Sequence, residues 1–190
     1  ENRAKITWST PQTGANGGWI DASALTYKIT RLPDSIVVAE TTTGNEYIDN
    51  SITKLNIYSY QIQAITPDGA GPTATTDRLV MGPALTVPYR CNFATDDQFA
   101  LWNVIDANND EYTWKRETTL AAAYYYYNED GETGGDDWLV SSPIHLEKNK
   151  IYRLKFKLQS YDVGYPEKVA VHLGTGASVA EQTTLLGDYE

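Results

Sequence analysis

Short alternating runs of apolar and polar residues, cut by Gly, Pro, Asn and Asp, recur along this chain. In its first third they are Ile6-Thr7-Trp8, Leu25 to Ile29, Ile36-Val37-Val38, Tyr47-Ile48, Tyr58 to Ala64 and Thr73 to Met81. Side chains alternate between the two faces of a strand, so Leu25, Tyr27 and Ile29 share one face, and the even positions of the Tyr58 run point inward. Pro11, the Gly14 to Gly18 loop, Pro33-Asp34, Gly44-Asn45 and the Pro67 to Pro72 cluster are the turns between them. No helical period occurs in this part, and the pattern predicts an all-β sandwich.

The second part predicts strands at Tyr89–Phe93, Trp138–Val140, Tyr152–Leu158 and Lys168–Leu173, with one helical turn over Phe99–Trp102. Tyr152, Leu154, Phe156 and Leu158 share a face. In Asp136-Asp137-Trp138-Leu139-Val140-Ser141-Ser142-Pro143-Ile144 an acidic, glycine-broken loop enters a strand that Pro143 restricts to an edge or bulge. Gly82-Pro83 and Pro88 form a stiff joint, which divides the chain into residues 1–82 and 83–190.

Composition sharpens this picture in a few places. Of 190 residues, 41% are hydrophobic and 21% charged, enough to bury a core. The formal charge of −10 comes without a basic stripe, which argues against a nucleic-acid partner and an anionic membrane surface. No apolar run is long enough to insert into a bilayer as a helix. Cys91, the sole cysteine, rules out an internal disulfide and reads as a small buried hydrophobe. The first residues, Glu1-Asn2-Arg3, and the last, Asp188-Tyr189-Glu190, read as cuts within a longer chain with neighbouring domains.

Two groups of residues suggest binding chemistry. Asp106, Asn108 and Asp110 put oxygen ligands at alternate positions, as a hard cation such as calcium requires, and Asp96, Asp97, Asp136 or Asp137 can join them. The same loop also fits a polar turn in which Asx side chains bond their own backbone. Tyr124, Tyr125, Tyr126 and Tyr127, if they form a strand, face both ways in pairs, so one pair can stack against a sugar. Trp102, Trp114 and Trp138 fit a core better than a platform. His145 and His172 stand on apparent strands without a Gly-x-Ser-x-Gly elbow, a Cys/His metal cluster or a phosphate loop, and no catalysis is expected.

Residues 1–82 resemble fibronectin type III domains, in Lys5 to Pro11 as the second strand with its Trp, Leu25 to Ile29 as the third, the Ile52…Tyr58…Ala64 pattern and the Asp68-Gly69-Ala70-Gly71-Pro72 turn. That resemblance implies a spacer or binding module whose first strand is missing or short, and in which the Tyr58 hydroxyl closes a corner on nearby backbone. The second part is similar to cleaved-adhesin jelly-roll modules, related to MAM domains, of Bacteroidetes surface and secreted proteins. The likeness rests on Pro88 to Phe93, Trp102 to Asp110 with Trp114, Asp136 to Ile144, and Tyr152 to Leu158. It implies a C-terminally incomplete jelly roll on the outer cell surface or outside the cell, structural calcium, and adhesion to a glycan or an extracellular protein. The alternative is an accessory or spacer pair attached to a secreted peptidase or glycoside hydrolase.

Overall fold

The structure, a computed structural model, describes residues 2–125, 134–160 and 168–189. Among the described residues the chain is all-β apart from one short α-helix and two single 3-10 turns, and it divides into two compact units, Glu1–Pro83 and Ala84–Glu190.

In the first unit, β1 (Ala4–Thr7) pairs antiparallel with β4 (Glu46–Asp49). The second sheet is built from β2 (Thr26–Leu32), β3 (Ile36–Thr42), β5 (Asn56–Thr66) and β6 (Gly69–Thr75) in the order β3-β2-β5-β6. β7 (Leu79–Met81) pairs with the start of β5. The expected single strand from Thr73 to Met81 is therefore two. Asp77 and Arg78, between them, lie outside both.

Alternation buries one face of each sheet. Ala4 and Ile6 meet Leu25, Tyr27, Ile29, Ile52, Tyr58, Tyr60 and Ile62 in one cluster, with Trp8 half-buried at its margin. Each leucine or isoleucine among them contributes about 1.5–3 kcal/mol when fully removed from water. The Tyr58 hydroxyl donates to the Lys54 carbonyl (2.9 Å), which closes the corner ahead of β5. Gly82 ends this unit at φ +138°, where an added Cβ would lie 2.4 Å from the Lys54 carbonyl oxygen, so only glycine fits.

The inward face of β2 continues beyond Ile29 to Arg31, a charge in an apolar phase. Arg31 is 4% exposed and Asp49 2% exposed. The guanidinium donates to Asp49 Oδ2 (2.9 Å) and to Ser51 Oγ (2.8 Å), and grips both oxygens of Asp34. Asp49 also accepts from the Tyr60 hydroxyl (2.8 Å) and from Ser51 N and Oγ. Burial pushes the Asp49 carboxyl up, but these donors overcome it and hold it below the usual carboxylate range.

The second unit holds α1 (Asp96–Ala100), β8 (Asn103–Asp106), β9 (Trp114–Glu117), β10 (Ala122–Tyr125), β11 (Asp137–Val140), β12 (Val169–Leu173) and β13 (Thr184–Tyr189). Among the described residues they pair two by two, as β8–β11, β9–β10 and β12–β13. Pro143 sits, as its chemistry demands, beside an isolated bridge rather than inside a ladder: its carbonyl accepts from Leu85 N (2.7 Å), and Leu85 bridges Ile144.

Three expectations need correction here. Tyr89–Phe93 forms no strand; Phe93 adopts φ +53° and packs its ring on Phe99 and Trp102 instead. Tyr152–Leu158 keeps its alternation but has no ladder partner, so it is not a strand of any sheet among the described residues. The helix starts three residues before the expected turn, because Thr95 Oγ1 accepts from Gln98 N while Gln98 Oε1 accepts from Ala94 N.

Removing one partner of a buried ion pair strands the other, at about 3–5 kcal/mol. Asp49→Ala should destabilise the chain on that scale in urea unfolding. A depressed folded pKa adds stability above the unfolded value, about pH 4, and loses it as pH falls through the folded one. The deficit of Asp49→Asn should accordingly shrink below about pH 4.

Candidate metal centre

The register of β8 with β11 sets Asp106 directly opposite Asp137. Like charges in that position repel across a sheet. The loop after β8 then returns a third carboxylate, and ligand oxygens of Asp106, Asp110 and Asp137 all lie within 4.8 Å of one another. All three residues are half-buried.

The loop achieves this return through its own backbone. Asp106 Oδ1 accepts from Asp110 N (3.2 Å) and Oδ2 from Glu111 N (2.9 Å), while Asp110 Oδ1 accepts from Tyr112 N (2.9 Å). Asn109 and Glu111 take positive φ to make the turn. The Asx turn and the acidic cluster are therefore one construction. Asn108 Nδ2 donates to Asp110 Oδ2 (3.0 Å) and to the Gly134 carbonyl (3.2 Å), and Ala107 N donates to the Asp136 carbonyl (3.0 Å). These bonds tie the loop to the approach of β11. A Cβ at Gly135 in that approach would lie 2.6 Å from the Tyr125 hydroxyl oxygen, so a larger residue there would displace that ring.

Asp137 differs from its two neighbours. Both its carboxylate oxygens are buried and neither has a hydrogen-bond partner; Thr113 Oγ1 is likewise buried and unpartnered. Burial pushes the Asp137 carboxyl up, and the charges of Asp106 and Asp110 add to the rise. The side chains of Thr113 and Tyr125 offset part of it without supplying Asp137 a well-formed hydrogen bond. Buried carboxylate oxygens without donors cost several kcal/mol unless a proton or a cation neutralises them. The oxygen-only donor set suits a hard ion such as calcium.

Of the residues expected to bind metal, Asp106, Asp110 and Asp137 come together. Asp136 instead accepts from Trp138 Nε1 (2.8 Å), and Asn108 directs its amide nitrogen to Asp110. Asp96 is engaged by Arg116 (2.6 Å), and Asp97 lies in the first turn of α1. Thr113 escaped the sequence reading, because a hydroxyl within Tyr112-Thr113-Trp114 resembles any strand threonine.

The tyrosines are placed only in part. Tyr124 and Tyr125 are half-buried in β10, opposite Lys115 and Trp114, and the Tyr125 ring packs on Trp114 with centroids 5.8 Å apart. Tyr126 and Tyr127 lie outside the described residues. Trp114 Nε1 donates to the Asp137 carbonyl (3.2 Å), so this indole borders the acidic cluster. His172 donates from Nδ1 to the Gln182 carbonyl (3.0 Å) and packs its ring edge-on against Trp138. His145 lines a separate concavity with Ile144, Leu146, Leu173 and Thr184. Cys91 is half-buried.

No family model, no curated protein and no solved structure matches this chain.

In chelator, Asp137→Asn should melt at a higher temperature than the parent, because it removes an uncompensated charge. A raised folded pKa contributes stability below the unfolded value, about pH 4, which is lost as pH rises through the folded one. The parent in chelator should thus lose stability over that window more steeply than the variant. A lower melting temperature for the variant in chelator would show that the carboxylate is already compensated.

Proposed function

We propose that the chain is a non-catalytic, extracellular ligand-binding segment. A fibronectin type III-like spacer precedes a cleaved-adhesin-like jelly-roll unit held in shape by calcium, with a glycan or an extracellular protein as ligand. The observation that carries this reading is Asp137, whose two buried, donorless oxygens face Asp106 and Asp110. Asp106, Asp110 and Asp137, with the Thr113 hydroxyl beside them, would hold the ion. When bound it would neutralise three carboxylates and fasten the Asp106–Asp110 loop to β11.

The spacer half of the proposal draws on the strand order β3-β2-β5-β6 facing β1-β4 and on the Tyr58 corner. The jelly-roll half draws on the quoted motifs and on strands that pair only two by two. Isolated pairs of that kind are marginal in water, and a bound ion offsets that deficit.

Trp114 borders the site and can sensitise terbium, a luminescent substitute for calcium. Excitation of the indole should give terbium emission that calcium displaces and that Asp137→Asn abolishes. Trp114→Phe should lose the emission while still gaining melting temperature with calcium. Emission unchanged in Asp137→Asn would overturn the assignment. With calcium present, the intact chain should mark members of a glycan and matrix-protein array; silence across both would remove ligand binding and leave a stalk.

A further inference from the structure

The run Ile151-Tyr152-Arg153-Leu154-Lys155-Phe156-Lys157-Leu158 is unlike the rest of this acidic chain. With Lys148 and Lys150, its neighbourhood holds 5 of the chain's 15 Lys and Arg residues and, from 148 to 160, no acid. The segment runs without helix, turn or bend, so it is extended, yet it joins no ladder among the described residues. Every residue from 147 to 160 is exposed. Tyr152, Leu154, Phe156 and Leu158, which alternation puts on one face, are 37% to 62% exposed. None of the five cations has an ion-pair partner among the described residues. Only the Phe156 ring has an aromatic neighbour, Tyr189 at the end of β13, with centroids 5.3 Å apart.

A soluble chain does not ordinarily leave an alternating apolar row and a free row of backbone donors and acceptors uncovered. Three features define what would cover them. The apolar row requires an apolar face, and the unpaired backbone requires another backbone. Arg153, Lys155 and Lys157, about 7 Å apart along an extended chain, are complementary to acids at the same spacing. A second copy of this segment fails the last condition. Any antiparallel register that matches apolar row to apolar row also sets cation against cation, as Arg153 against Lys157 about a central Lys155. An anionic polysaccharide would meet the charges but leave the apolar row exposed. A lipid surface would leave the backbone groups unbonded.

We propose that residues 151–158 are a docking strand for a polypeptide strand that alternates acidic and apolar residues, added by backbone pairing in the manner of strand augmentation. This proposal stands on the charge and exposure of the segment and does not depend on the acidic cluster.

The test uses the whole chain and a labelled, capped peptide of alternating Glu and Val, followed by fluorescence anisotropy. The Glu/Val peptide should bind, weaken with added salt, and exceed an alternating Lys/Val peptide by at least about tenfold. Lys155→Glu with Lys157→Glu should reduce its affinity by at least about tenfold, and Phe156→Ser should weaken it separately. A Glu/Val peptide N-methylated at alternate bonds should fail to bind. The altered side chains are exposed, so circular dichroism should match the parent. Absence of binding, equal binding of the two peptides, or survival of binding after charge reversal would overturn the proposal. So would binding confined to heparin or to phosphatidylserine vesicles.

Discussion

A carboxylate taken out of water must find donors or an opposite charge, and the two units of this chain meet that constraint differently. In the first, Asp49 is 2% exposed and receives Arg31, Tyr60 and Ser51, so every demand is met from within. The partners come from β2, β5 and the chain after β4, so satisfying one acid also joins the two sheets. In the second, Asp137 is set against Asp106 by strand register, is joined by Asp110, and has no well-formed hydrogen bond to either carboxylate oxygen. The same physical rule that makes the first site complete is the ground on which a cation is proposed at the second.

Packing follows the same division. All nine buried apolar residues of the described chain lie in the first unit, where two sheets share their inner faces. The second unit has three two-stranded sheets and none of those nine residues. Aromatic contacts such as Phe93 on Trp102 and Trp114 on Tyr125 supply part of its cohesion. Its remaining features are a cluster of carboxylate oxygens and an exposed alternating run that has no ladder partner among the described residues.

Much of the fold was legible because strands with one buried face write their phase into the sequence. Leu25, Tyr27 and Ile29, and then Tyr58, Tyr60 and Ile62, are inward as their alternation required. Arg31 was missed although it continues the same phase, since a charge at an inward position carries no hydrophobic signal. Tyr89–Phe93 was misread because aromatic residues favour strands in general, while here a positive φ at Phe93 turns its ring onto the helix. At the candidate site, the alternation of Asp106 and Asp110 was visible. The choice of Asp137 over Asp136 was not, because it depends on which neighbour faces β8 and which accepts from the Trp138 indole. Thr113 was hidden for a similar reason: its burial is a property of the folded loop, and nothing in its local sequence marks it.

The central proposal is that Asp137, with Asp106 and Asp110, binds a cation. Calorimetric titration of the chelator-stripped chain with calcium tests it directly. The account predicts one site per chain, lost in Asp137→Asn and retained when the outlying Asp136 is changed to Asn. Calcium binding that persists unchanged in Asp137→Asn, or no heat of binding in the parent under conditions where the chain is folded, would contradict it.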